Sequence, residues 1–152
     1  MMRVIAVTHL PFAGFFFAAS TARAVLLSIL PLKALSLLGS AQHVSVLFFV
    51  VSVCGIGASL GIYSILRHIS LRTGFLISSL AMVISIALLW TQDLWTFSLG
   101  MMFHVFGITS MEVILSLYVM QKIPRSQLSE FEPLRMVSTV MALSIVPWLG
   151  VY

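Results

Sequence analysis

Apolar residues run along this chain in long blocks, and the polar and charged positions gather in short clusters between them. A helix that crosses a bilayer needs roughly 20 mostly apolar residues at about 1.5 Å rise each. Four blocks meet that requirement: about residues 4–30, 44–66, 74–90 and 95–120. A fifth, 136–152, meets it narrowly. In hydrocarbon the backbone groups must be satisfied within the segment, so each block is predicted to be a helix. The pattern predicts an all-α membrane protein, one transmembrane domain folded as a bundle of about five helices.

Composition supports the same solvent. Apolar residues make up 61% of the chain and charged residues 8%, against about 25% charged in a soluble domain. Mean hydropathy is +1.15. A lipid bilayer is therefore the first partner the chain requires. The net charge of +4 does not point to nucleic acid, because the basic residues are scattered between apolar runs and form no patch. The single cysteine, Cys54, excludes an internal disulfide and reads as a small apolar helix residue.

Charge placement predicts orientation. Arg3, Arg67, Arg72, Lys122, Arg125 and Arg135 fall at the N-terminus and in the loops after the second and fourth helices, whereas Lys33 is alone on the other side. Cytoplasmic loops are enriched in Lys and Arg, so the N-terminus is expected in the cytoplasm of a cell with a cytoplasmic (inner) membrane, and the chain is expected to end outside. Trp90 and Trp95 bracket the outer turn that holds Asp93, Trp148 and Tyr152 sit near the outer end of the fifth block, and Tyr63 and Tyr118 lie near the inner boundary. Amphipathic rings favour those levels. Arg3, an apolar run and Ala22-Arg23-Ala24 imitate a signal peptide, but His9, Pro11 and the arginine within the triplet spoil the imitation.

The candidate chemistry lies in charges within the blocks. A charged side chain near the bilayer centre costs about 2.5–3.5 kcal/mol on insertion scales, so it is rare unless used or sheltered. Arg23 and Glu112 are the two such residues, with His9 and His104 as weaker candidates. Counted from the inner ends of their blocks, Arg23 lies roughly 27 Å along, Glu112 roughly 12 Å and His104 about 24 Å. This arithmetic disfavours a direct Arg23–Glu112 pair and sets Arg23 nearer the level of His104. Facing a polar cavity, Arg23 would attract an anionic group and Glu112 a cation or proton. The bland alternatives are snorkelling for Arg23 and a helix-tying carboxyl for Glu112.

Gly57 and Gly61, four apart in the second block, read as a helix-packing pair, since small residues let backbones approach closely. Pro147, followed by Gly150, predicts a bend near the end of the fifth block. The sequence contains no phosphate loop, metal cluster or nucleophile–base constellation, so neither an enzyme nor a cofactor is expected. Serines within the blocks are expected to bond to their own helix backbone.

Three places carry a family resemblance: Leu30-Pro31-Leu32 followed by Leu38-Gly39-Ser40-Ala41, the basic loop from Leu66 through Arg67 and Arg72 to Gly74, and Ile123-Pro124-Arg125-Ser126. Together they resemble the major facilitator superfamily. Phe131-Glu132-Pro133-Leu134-Arg135 and Pro147-Trp148-Leu149-Gly150 look like an uncharacterised bacterial branch of it. The resemblance implies the N-terminal portion of a secondary transporter that works by alternating access between inverted repeats. It implies that Arg67 and Arg72 are the family-type cytoplasmic loop positions, and that Arg23 and Glu112 lie on cavity-lining helices. A sixth helix and the second half would be supplied by missing C-terminal helices or a second chain, and the abrupt end at Tyr152 suggests truncation. The partner implied is a small-molecule substrate. The alternative is a small multi-span partner or assembly protein, or a nonfunctional remnant, with no transport of its own.

Overall fold

The computed structural model describes the backbone of residues 2–149, and side chains for residues 12–145 except 63, 66, 125 and 126. The expectations placed on Arg3, His9, Pro11, Tyr63, Arg125, Pro147, Trp148, Gly150 and Tyr152 concern side chains or residues outside that range. Five helices follow one another: α1 (Met2–Leu38), α2 (Ala41–Leu66), α3 (Leu71–Leu89), α4 (Leu94–Lys122) and α5 (Arg125–Leu149). No strand occurs among the described residues. Among the described residues, four stretches are long and apolar enough to cross a membrane: Phe12–Leu38, Ala41–Ile62, Leu71–Leu89 and Leu94–Lys122. The chain is thus an all-α, multi-pass membrane bundle. Its outer faces suit lipid, with Phe49, Ile56, Leu60, Leu76, Val83 and Val140 all exposed.

Local chemistry sets the helix ends. The first helix does not stop at Leu30-Pro31 but runs on to Leu38. An internal proline removes one hydrogen bond and crowds the preceding turn, but a membrane helix tolerates it because breaking the helix would expose more backbone. The stop comes at Gly39, which takes φ +66° and donates its N–H to Leu35 O at 2.9 Å. That left-handed cap favours glycine. Ser70 caps α3 by accepting from the Thr73 N–H at 3.1 Å. Asp93 caps α4, accepting from the Thr96 N–H at 2.9 Å and its hydroxyl at 2.7 Å. These bonds satisfy N–H groups that helix geometry leaves without partners. The last helix begins at Arg125, so residues 125–135, expected in a loop, are helical, and Pro133 lies within α5. Glu130, Glu132 and Arg135 dilute its apolar character, and the described residues of α5 do not include a stretch apolar enough to span.

The chain divides into two compact units, Met1–Leu30 with Leu115–Tyr152, and Pro31–Ile114. In the first, Ala13, Phe16, Ser20 and Ala24 repeat every three to four residues and are buried along one stripe of α1. Phe131 and Ala142 are buried on α5. The Phe131 ring stands 6.2 Å from Phe16 and 6.4 Å from Phe12, the latter edge-on at 87°, and Phe12 lies 6.0 Å from Tyr118. Such tilted and edge-on aromatic pairs contribute about 0.5–1.5 kcal/mol each beyond the area they bury. Ser20 Oγ donates to Thr139 Oγ1 at 3.4 Å, a long bond between α1 and α5.

The second unit is held by small residues. Gly74, Ser78, Ala81, Ser85 and Leu89 form the buried stripe of α3. Against it lie Gly100 and Gly107 of α4. A Cβ on Gly100 would meet Leu88 Cβ and Leu89 N at 3.0 Å, and one on Gly107 would meet Met82 Cγ at 2.7 Å and Ser78 O at 3.2 Å. These approaches run in opposite chain order, as two helices joined by a four-residue turn require. Close backbone contact of this kind supplies dispersion energy where lipid removes the hydrophobic drive. The buried serines keep to their own helices: Ser78 Oγ donates to Gly74 O, Ser85 Oγ to Met82 O and Ser110 Oγ to Phe106 O.

Candidate functional site

Arg23 is exposed on α1, in the first unit. Within the apolar stretch Phe12–Leu38 it lies about 16 Å from one end and about 22 Å from the other. The longer helix places the charge deeper from its C-terminal end than a helix stopping at Leu30 would. Glu112 and His104 both belong to α4 in the second unit. Glu112 is exposed, about 15 Å from the Lys122 end of its helix. His104 is 5% exposed and shares the buried stripe of Phe97, Gly100, Met101 and Gly107. Arg23 and Glu112 therefore stand on exposed faces, and the histidine is packed.

Arg67 and Arg72 are exposed at the α2–α3 connection. Arg72 lies in the first turn of α3, directly after the Ser70 cap. A cation there opposes the helix macrodipole by about 0.3–1 kcal/mol, so local helix stability does not explain its position. Lys122, in the last turn of α4, is placed favourably. Gly57 and Gly61 are both exposed, with no atom within 4 Å of where a Cβ would stand. The close approach made by α2 is instead at Gly55, whose Cβ would meet Val105 Cγ1 at 2.5 Å.

Two polar arrangements escape a reading of the residues in order. Arg135 is bound to Glu132, with Nε 3.1 Å from one carboxylate oxygen and 3.2 Å from the other. Its guanidinium lies 5.4 Å from the centre of the Phe16 ring, within cation–π range. The Glu-x-x-Arg spacing would have revealed the pair had these residues been read as helix. Lys33 Nζ donates to Leu89 O, the carbonyl at the C-terminus of α3, and stands 5.9 Å from the Phe97 ring centre. Helix C-termini attract cations and leave carbonyls open. Beside it, Lys33, Ser36, Leu37, Trp90 and Gln92 line a cavity of about 550 Å³. No spacing in the sequence signals this, because the parts come from α1 and from the α3–α4 turn.

Asp93, in that turn, has its carboxyl pushed below the usual aspartate range, chiefly by the Thr96 N–H and then by the Thr96 hydroxyl, which both favour the ionised form. A second, apolar cavity of about 30 Å³ lies among Ile62, Ile65, Ile77, Phe106 and Ile114, with Ser78 and Ser110 in its wall. Among the described residues no cluster of His, Cys, Asp and Glu has the grouping to hold a metal ion. No family model, curated protein or solved structure matches this chain.

Proposed function

We propose that the chain is the N-terminal helical part of a secondary active transporter, of the major facilitator kind, that moves a small polar or drug-like solute across the cytoplasmic membrane by alternating access. The observation that carries this reading is the exposure of Arg23 and Glu112, both far from the ends of their apolar helices. A charged side chain exposed to lipid at that depth costs about 2.5–3.5 kcal/mol on insertion scales, before any contact it makes within the protein is counted. A water-filled pathway between this bundle and further helices removes that cost and gives both residues a role, Arg23 attracting an anionic group and Glu112 a cation or proton. His104, packed near the other end of α4, would adjust the helix beside the pathway. Arg67 and Arg72 would serve the cytoplasmic loop, where the position of Arg72 is not explained by the stability of its own helix.

The test uses the full gene product in its own membrane, with uptake or efflux of labelled sugars, labelled amino acids and fluorescent cationic dyes as the readout. Arg23→Ala and Glu112→Gln are each expected to lower transport of the responsive solute at least about tenfold, the loss of one charge-assisted contact. Unchanged transport in both variants would sink the proposal. A second reading, a membrane partner that assembles with another protein and carries out no transport or chemistry of its own, draws on Gly57 and Gly61. Their open surface suits close approach by a helix from another chain.

A further inference from the structure

We propose that the cavity lined by Lys33, Ser36, Leu37, Trp90 and Gln92 binds a phosphate-bearing anion, the group shared by a phospholipid headgroup and free phosphate. It is independent of the transport reading and involves none of the residues placed on the pathway. At about 550 Å³ the cavity falls in the size range of small-molecule sites, roughly 300–1,000 Å³. Its polar lining is biased towards donors. Lys33 carries three ammonium N–H groups, one of which is directed to Leu89 O. Trp90 and Gln92 add an indole N–H and an amide. Ser36 donates its own proton to Lys33 O at 2.7 Å and so presents only lone pairs.

No carboxylate lines the cavity. The neighbouring Asp93 is engaged by Thr96 through both its N–H and its hydroxyl. The C-terminus of α3 contributes a partial negative charge of about half a unit, which the full charge of Lys33 exceeds. Asp93 keeps its negative charge but lies outside the lining, so among the described residues Lys33 is the one ionic group in the cavity wall and supplies its positive charge locally. Its position favours a lipid source. Trp90 is 85% exposed and Trp95 83%, and both flank the turn where α3 and α4 leave their apolar stretches. Tryptophan is enriched at headgroup level, which is where phospholipid phosphates lie.

The experiment takes the full-length chain, purified in a non-ionic detergent, and titrates it with short-chain phosphatidylglycerol and, separately, with inorganic phosphate. Tryptophan fluorescence is the readout, and Trp90→Phe identifies the reporting ring. A saturable change is expected that disappears in Trp90→Phe. Lys33→Gln should weaken binding about tenfold to a hundredfold, as loss of a hydrogen bond to a charged group does, whereas Lys33→Arg should keep it. Gln92→Glu places a negative charge in the cavity, leaves the Lys33–Leu89 bond in place and should weaken binding about tenfold. It decides the question if Lys33→Gln does not fold. Saturation by the lipid alone assigns a headgroup site, and saturation by inorganic phosphate as well assigns a site for the free anion. No saturable response to either ligand, or one that Gln92→Glu leaves unchanged, overturns the proposal.

Discussion

Glycines do different work in this chain according to the face they occupy. Gly107 lets α4 approach the α3 backbone, with Ser78 O at 3.2 Å and Met82 N at 3.3 Å from the place a Cβ would take. Backbone atoms cannot rotate away as a side-chain tip can. Gly107→Ala is therefore expected to destabilise the protein by about 1–2 kcal/mol, the usual overpacking penalty less the helix propensity that alanine gains. Gly57→Ala meets open space and should have the opposite sign, stabilising by roughly 0.5–1 kcal/mol through propensity alone. Thermal unfolding of both variants in detergent checks the contrast. Equal destabilisation by the two would mean that Gly57 is packed against something beyond the described contacts. The glycine motif in α2 was visible in the sequence as Gly57 and Gly61, but which glycines meet another helix within the chain was not. Gly55, Gly100 and Gly107 share no pattern until α2, α3 and α4 are placed side by side.

Helix limits at the scale of the element follow from caps more than from apolar length. Gly39 ends α1, Ser70 and Asp93 begin α3 and α4, and prolines at 31 and 133 are carried within helices. The Asp93 cap has a pH consequence. Its folded pKa lies below the usual aspartate value, so the ionised form is favoured in the fold. The stabilisation is complete above the unfolded value of about 3.9 and is lost as pH falls through the folded pKa. Asp93→Asn keeps a capping oxygen but cannot titrate. The difference in unfolding temperature between wild type and Asp93→Asn should be constant at pH 5–7, on the order of a unit or more above that aspartate range. Below pH ~4 it should shift against the wild type. Because the two proteins share every other residue, comparison with the variant isolates the cap. A difference that stays flat in acid would show that Thr96 does not hold the carboxylate as described. The helical state of residues 125–135 was hidden in the sequence because Pro133 and the surrounding charges resemble a loop. Their use within a helix is explained by the pairing of Arg135 with Glu132 and its seat over Phe16.

The whole molecule is a membrane bundle whose charge distribution predicts its orientation. Arg67, Arg72 and Lys122 are expected on the cytoplasmic side and Asp93 on the other, because the basic residues gather at one set of helix ends. Cysteine labelling in intact cells, in a background where Cys54 is replaced by Ser, should leave Arg67→Cys and Lys122→Cys protected from an impermeant reagent. Asp93→Cys should be labelled. The reverse pattern would overturn both the orientation and the cytoplasmic assignment of the basic loop.

The sequence by itself determined the solvent, the helical class and the charges that need explanation. Long apolar blocks with few charged residues have one stable setting, and backbone satisfaction in lipid leaves helices as the way to fill it. Arg23 and Glu112 were legible for the same reason, since a charge inside an apolar block is conspicuous without any coordinates. Tertiary structure decided what depends on distance between elements. It showed that His104 is packed while Glu112 is exposed, that Arg135 lies over an aromatic ring, and that Lys33 caps a helix to which it does not belong. In lipid the hydrophobic effect does not select which apolar faces meet. That choice rests on the shape of small side chains and a few polar contacts, and these become visible only when the helices stand side by side.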